Sequence, residues 1–485
     1  MPRRQLNKFS AREYYDSKAR RILVREFRLH NIEYHHTPTP SDSNGEVNYT
    51  FTSDRDQHFP NFPILIQSNG TPWEISTLYL LAKIKNDGCY EPRTIRGIAD
   101  HLLDYLRFLE DEGLSFLHLP PNDRLKVTFR YRERLVEQMS LGLATSTAKA
   151  RINTIVNFYR RIIKWKIINK KQIENPPFED ILKTVSTTSE HGLISNVAIA
   201  SHNLTIKKPK KQKHPELICD GGDLRPLTTE EQEIVLKSLA GSSREYQLMF
   251  YLALFTGARI QTVCTLRIKD IQMRLDQHGN LMLPIGGGTD IDTKYDKTMT
   301  LLIPGWLVED MKIYSLSQEA KKRRSRSFYG DSDNNYIFLS KNGIPYYTSK
   351  REIIDRRHRE SSTSKSIELK QNKVLLQDGS ALRQHIHSIL LPRIHLNNPT
   401  FQGFRFHDLR ASFGMNLLER QLIHSGDKKI TAILEEVQQR MGHSSIETTL
   451  KYLNYKSRLE WRKNIQHEFE SSLFKYVNTS NGKTS

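Results

Sequence analysis

Between residues 71 and 165 apolar side chains recur at helical spacing in successive stretches. Thr71-Pro72-Trp73-Glu74 supplies a hydroxyl, a proline and then a carboxylate three residues on, the order expected where a capped helix begins. Ile95, Ile98, Ala99, Leu102, Leu106 and Leu109 repeat every three or four residues up to Gly113. Ala148, Ile152, Ile155, Tyr159 and Ile162 do the same before Trp165, and residues 124–139 add a further helix. Amphipathic helices this close together predict a small helical bundle. Residues 1–70 are weakly periodic: a basic stretch with Arg20, Arg21, Arg25 and Arg28 reads as a solvated helix and a candidate DNA-touching arm, followed by a polar loop at Ser41-Asp-Ser-Asn-Gly45.

The pattern changes beyond residue 224. Leu224-Arg-Pro-Leu leads into Thr-Thr-Glu-Glu-Gln, a second capped start, and residues 244–255 form another helix that stops at Gly257. Strand patterns follow at residues 281–285, 298–303 and 336–339, the last closed by an Asn342-Gly343 turn. Residues 356–380 are polar and aperiodic, as in an inserted loop. The expected fold class is mainly α with a small β-sheet: an N-terminal helical bundle and a mixed α/β domain.

Composition sharpens this picture. A chain of 485 residues has room for two or three domains. Its 73 Lys and Arg against 54 Asp and Glu give a formal charge of +19, which points to a polyanionic partner. The apolar run over residues 248–255 is far shorter than the roughly 20 residues of a membrane span. No apolar signal-peptide core follows the basic N-terminus, and Cys89, Cys219 and Cys264 are too few for a disulfide framework or a zinc site. The expectation is a protein of a reducing compartment without membrane contact. Lys207-Lys-Pro-Lys-Lys-Gln-Lys213, with lysines at 207, 208, 210, 211 and 213, is too polar and self-repelling to pack and reads as a linker. The preceding helix carries Lys149, Arg151, Arg160, Arg161 and Lys164 outside its apolar stripe. Both sets are candidate phosphate contacts.

Three segments could carry chemistry: Thr256-Gly-Ala-Arg259, then Phe406-His407-Asp-Leu-Arg410, then Met441-Gly-His443 with Tyr452 nine residues beyond. In that order they resemble the tyrosine recombinase (phage integrase) family. The resemblance covers residues 73–460, by motif in the second domain and by layout alone in the first. It implies residues 71–200 as a helical core-binding (SAM-like) DNA-binding domain after a basic extension at 1–70. It further implies a basic linker at 201–223, a tyrosine-recombinase catalytic domain at 224–456 and a C-terminal tail helix at 457–485.

Breaking a DNA backbone by transesterification requires neutralising charge on a pentavalent phosphorus while an alkoxide leaves. Arg keeps its charge at any working pH and its planar fork matches two phosphate oxygens, so Arg259 and Arg410 are candidates for the clamp. The resemblance makes Tyr452 the nucleophile in preference to Tyr455, and His407 a proton acceptor or hydrogen-bond partner. It has His443 donate to a phosphate oxygen and a hairpin-turn lysine protonate the leaving 5′ oxygen. Lys294 is the preferred lysine, with Lys297 the fallback.

Two features depart from the family. Thr262 stands where an acidic residue usually orients the active-site groups, and the 148-residue step from Arg259 to His407 exceeds what a compact member needs. An extra basic loop at Lys321-Lys-Arg-Arg-Ser-Arg326 and the polar insertion fit the second departure.

The implied function is site-specific recombination of double-stranded DNA through a 3′-phosphotyrosine, for integration or excision of a mobile element. Neither metal nor nucleotide is expected. The chain would be monomeric when free, tetrameric in the synaptic complex and open to accessory proteins, as a cytoplasmic protein at the nucleoid. Trp461, Ile465, Phe469 and Leu473 would form the stripe of the tail helix that docks on a neighbouring protomer.

Alternatives are a type IB topoisomerase-like enzyme with nearly the same residues and a catalytically weak DNA-binding relic. A metal-dependent phosphohydrolase built on His385, His387, His407, Asp408 and His443 would show chelator sensitivity. Gly286-Gly-Gly-Thr lacks the Gly-Lys-Thr of a nucleotide loop.

Overall fold

The computed structural model describes residues 14–35, 48–88, 90–188, 194–207, 217–359, 376–424 and 430–473. The chain divides into two compact units, Met1–Lys211 and Gln212–Ser485. Both are mainly helical with small antiparallel sheets.

In the first unit, strands β1 (Arg20–His35) and β2 (Asn48–Ile66) form a long hairpin in which Arg20 faces Ile66. Helices α1 (Glu74–Asp87), α2 (Pro92–Asp111), α3 (Val127–Ser140) and α4 (Thr145–Lys164) follow. A second hairpin pairs β3 (Asp180–Thr188) with β4 (Ile194–His202). The apolar stripes read from α2 and α4 are the buried faces, with Ala99, Leu102, Ala148 and Ile155 fully enclosed.

Two expectations are corrected here. The stretch bearing Arg20, Arg21, Arg25 and Arg28 is a strand: Phe27 stacks on Phe62 at 4.5 Å, and Tyr15, Ala19, Phe59, Phe62 and Leu65 lie in the same core as the helices. Its periodicity is weak because none of its side chains from Arg20 to His30 is buried, and Phe27 and Leu29 pack only partly against that core. Helix α1 starts at Glu74, not at Thr71, because Pro72 bridges to Ile66, Trp73 enters the aromatic core and the Thr71 hydroxyl donates to Asn69 Oδ1. The Ser41–Gly45 loop lies outside the described residues.

The second unit opens with a small hairpin, β5 (Ile218–Cys219) and β6 (Asp223–Leu224). Its helices are α5 (Thr229–Leu239), α6 (Arg244–Thr256), α7 (Ile260–Thr265) and α8 (Ile268–Ile271). The capped start read for α5 is present as a capping box: Thr228 accepts from the Glu231 amide, and Glu231 accepts from the Thr228 amide. Strands β7 (Asn280–Ile285) and β8 (Met299–Pro304) pair antiparallel, and α9 (Gly305–Leu316), α10 (Gln318–Arg324) and α11 (Lys350–Arg359) follow. Next come α12 (Ser380–His385), a π-helical turn over Ile386–Leu390 and α13 (Leu391–Asn397). The last three helices are α14 (Phe406–His424), α15 (Ile430–Met441) and α16 (Ile446–Leu473).

The strand expected at residues 336–339 is instead a buried connection. Tyr336 and Leu339 form isolated bridges, and the Ile337 amide donates to Leu266 O. Consecutive apolar residues there are all enclosed, so burial on every side imitates a buried strand. The basic run at 321–326 is no free loop: the nearly buried Arg323 pairs with the buried Glu245 at 2.8 Å, and the nearly buried Arg324 with the exposed Asp331 at 2.6 Å. Lys321, Lys322 and Arg326 remain exposed. The insertion read at 356–380 begins within α11, and most of it lies outside the described residues.

Candidate active site

Four local devices deliver the side chains. Helix α6 ends at Gly257 in a left-handed conformation (φ 69°), where a Cβ would lie 2.5 Å from Phe413 Cδ1; the chain turns there and presents Arg259 immediately before α7. Helix α14 places His407 and Arg410 one turn apart. Gly442, at φ 61°, turns the chain out of α15 into His443, and the second turn of α16 carries Tyr452. The connection from β7 to β8 brings in Lys294 and Lys297.

These groups meet around one carboxylate that the motifs did not include, that of Asp220 at the turn of the β5–β6 hairpin. Asp220 Oδ2 accepts from Arg410 Nε at 3.2 Å, from His443 Nε2 at 3.1 Å and from the Tyr452 hydroxyl at 3.1 Å. Arg259 lies 3.8 Å from Oδ1. The Arg410 guanidinium is held further by Gly257 O at 2.7 Å and by Met441 O, and its residue is 2% exposed. A carboxylate only accepts, so His443 Nε2 carries the proton and Nδ1 accepts from the Thr449 hydroxyl at 2.9 Å. The Tyr452 ring is fully buried and stacks on His443 at 5.7 Å. A Cβ on Gly414 would lie 2.8 Å from Tyr452 Cε1 and 2.9 Å from Met441 Cε, so only glycine leaves room for this ring position.

The electrostatics follow from that packing. Burial alone would raise the Asp220 carboxyl, but the His443 hydrogen bond and the Arg410 and Arg259 charges outweigh it and hold the group far below the usual carboxylate range. Burial and the Asp220 charge push the Tyr452 hydroxyl up, so it donates as a phenol. Burial, Arg410 and Arg259 lower His407 to about 4, which keeps it neutral near pH 7. Burial is also the main cause lowering His443, against the upward pull of Asp220. Lys297 Nζ donates to Gly442 O at 3.0 Å and, with Arg259, Arg410 and Gly257, lines a narrow pocket. Burial and the two guanidiniums lower its pKa. Lys294 Nζ and His407 Nε2 lie 3.4 Å and 4.0 Å from where a Cβ of Gly221 would sit.

The five motif residues and Lys294 are therefore brought to one place, and Lys297 joins them. Asp220 carried no signal, because it lies outside every motif and the short hairpin alone positions it. Thr262 is buried and donates to Asp292 O at 2.9 Å, so it fastens the segment leading to Lys294 instead of presenting a carboxylate. His385 stacks on Tyr246 at 3.9 Å and bonds Ser242. Among the described residues no three His, Cys, Asp or Glu side chains form a group able to hold a metal.

On α4, Lys149, Arg160 and Lys164 lie within about 60° of one another at helical pitch, with Asn153 and Asn157 between them. Arg161 sits over Trp165 at 5.3 Å. Arg151 departs from its reading as a phosphate contact: it turns inward to Asp104 Oδ1 and Gln138 Oε1, at 2.8 and 2.9 Å. Of the linker lysines, Lys207 is exposed, and Lys208, Lys210, Lys211 and Lys213 lie outside the described residues. The reading of 201–223 as linker meets ordered structure at both ends, since His202, Leu204 and Ile206 are buried in the first unit and Ile218 and Leu224 in the second.

Residues 226–458, which hold Arg259, His407, Arg410, His443 and Tyr452, match the phage integrase family. The chain thus carries a phage integrase domain. The integrase domain thus begins just after the hairpin that bears Asp220. Similar solved structures include the XerH site-specific recombinase bound to its difH substrate in a pre-cleavage complex, at 17% identity over 75% of this chain and 77% of that one, TM-score 0.40. The Tn1549 transposon integrase in complex with circular intermediate DNA has 16% identity over 78% and 94%, TM-score 0.38. A lambda integrase dimer bound to a COC′ core site has 15% identity over 78% and 76%, TM-score 0.41. No curated protein matches the chain significantly.

Proposed function

We propose that the chain cuts and rejoins double-stranded DNA at specific sites through a 3′-phosphotyrosine on Tyr452, in the integration or excision of a mobile element. The observation that carries this reading is the convergence of two guanidiniums, an imidazole N–H and a tyrosine hydroxyl on one anionic oxygen pair. A scissile phosphodiester offers the same charge and two non-bridging oxygens to that set. Arg259 and Arg410 neutralise charge as the phosphorus becomes pentavalent, and His443 donates to a non-bridging oxygen. His407, neutral near pH 7, takes the tyrosine proton as Tyr452 Oη bonds to phosphorus. The 5′ oxygen leaves with a proton from a lysine. Its lowered pKa and its place beside both guanidiniums support Lys297, and its position on the same connection supports Lys294. The freed 5′ hydroxyl then attacks the phosphotyrosine of a partner duplex, so the bond is exchanged without a nucleotide.

Lys149, Arg160, Lys164 and the linker lysines hold the DNA backbone, and the helix that carries Tyr452, which continues unbroken to Leu473, links protomers in a synaptic tetramer. The side chains of Trp461, Ile465, Phe469 and Leu473 lie outside the described residues.

The test is a suicide substrate: nicked duplexes from the flanks of the gene, incubated with the full chain and resolved on a denaturing gel. A covalent protein–DNA band that Tyr452→Phe abolishes and a chelator spares is the expected result. Arg410→Ala should remove the band while most DNA affinity remains. Substrates with a bridging 5′ sulfur, a leaving group needing no proton, should restore cleavage to the variant of whichever lysine is the acid. A band that persists in Tyr452→Phe would overturn the proposal.

A further inference from the structure

Asp220 occupies the place that the proposed function gives to the scissile phosphate. Three donors aim at its Oδ2 and a fourth charge lies beside Oδ1. The rest of the turn covers what remains, since Gly221 faces Lys294 and His407. The tyrosine hydroxyl donates to the same oxygen, and a phenol engaged in this way is not poised to attack. Carboxylate and phosphodiester each carry one negative charge, so exchanging them leaves the charge balance of the buried cluster unchanged.

We infer that the β5–β6 hairpin is a built-in competitor of DNA: in the free protein the Asp220 carboxylate stands in for the scissile phosphate, and the site becomes reactive only when DNA displaces the hairpin. This inference rests on the proposed reaction at Tyr452.

The hairpin is suited to exchange. Its strands have two residues each, and its apolar anchors are Ile218 and Leu224. Lys451 Nζ donates to Cys219 O at 3.2 Å, and the Asp220 amide donates to Gly222 O at 3.0 Å. Gly221 turns at φ 67°, which tolerates no side chain without strain. The first unit ends at Lys211, so a segment of nine residues runs from there to Asp220. DNA that engages the first unit therefore acts on a short tether to the competitor.

The experiment uses the full chain, Asp220→Asn and Asp220→Ala. Inorganic phosphate is titrated in a thermal-shift assay, and covalent adduct is timed on the nicked duplex. Occlusion predicts that phosphate stabilises Asp220→Ala markedly more than the wild type, because the variant offers it an empty cationic site. It also predicts that Asp220→Asn forms adduct several-fold faster at limiting DNA. Equal phosphate responses with a wild-type adduct rate would overturn the competitor role. Loss of adduct in Asp220→Asn with DNA affinity retained would also overturn it, and would make Asp220 a positioning residue in place of the carboxylate absent at Thr262. A phosphate response confined to Asp220→Ala, with no Tyr452-dependent adduct in any variant, would uphold the occlusion and reject the recombinase reaction instead.

Discussion

Gly414 fixes the nucleophile by what it lacks. In Gly414→Ala the new methyl meets the edge of the Tyr452 ring and the Met441 methyl, and overpacking of this kind costs about 1–3 kcal/mol. The gain in helix propensity offsets up to ~1 kcal/mol of that cost. Thermal melting should therefore show a folded protein, with Tyr452 adduct on the nicked duplex greatly reduced; a wild-type rate would count against this placement. His407 gives the site a pH signature. Its folded pKa, about 4, lies below the ordinary value of 6.5, so as pH falls the unfolded chain binds the proton first. Stability is lost between about pH 6.5 and 4, while Asp220, held far lower, stays ionised through that window. Melting temperatures at pH 7, 5.5 and 4.5 should fall less in His407→Gln than in the wild type. His407 belongs to a motif readable in the sequence and Gly414 does not, and neither the ring contact nor the burial could be read there, because each depends on a partner far along the chain.

Helix α4 shows how an element divides its charges. Its apolar stripe follows from spacing alone, and Ala148, Ile152, Ile155, Tyr159 and Ile162 are buried as that spacing requires. Which basic residues face water does not follow from composition. Arg151 lies on the far side from Lys149 and pairs with Asp104, a carboxylate 2% exposed that also accepts from Tyr131 at 2.8 Å. Arg151→Ala leaves that carboxylate without its counter-charge and should cost about 3 kcal/mol in denaturant unfolding. Arg160→Ala breaks an exposed pair with Asp180 and a cation–π contact with Phe178 at 5.3 Å, and should cost about 1 kcal/mol. The same substitution should lower the salt slope of DNA binding by about 1. Equal stability losses for the two variants would show that the inward turn of Arg151 is not what holds α2 and α4 together.

At the scale of the whole chain, a surplus of 19 positive charges over two units predicts DNA binding that weakens steeply with salt, measured by titration at several ionic strengths. A flat response would count against a backbone-gripping protein. The sequence by itself determined the mainly helical class, the buried stripes of α2 and α4, the capped start of α5 and the motif residues of the site, because helical periodicity, capping chemistry and short motifs are all local. The tertiary structure alone decided the rest. The β1–β2 hairpin needs partners from Arg20 to Ile66 before either strand is recognisable. Arg323 became a buried ion pair, and Arg324 a buried arginine pinned by a surface carboxylate, only because Glu245 and Asp331 were folded against them. Asp220 is one acidic residue among 54 Asp and Glu until a hairpin turn brings it, across nearly two hundred residues of chain or more, against Arg410, His443 and Tyr452. Charge and hydrogen bonding act through space, so no pattern along the chain records where such a carboxylate comes to rest.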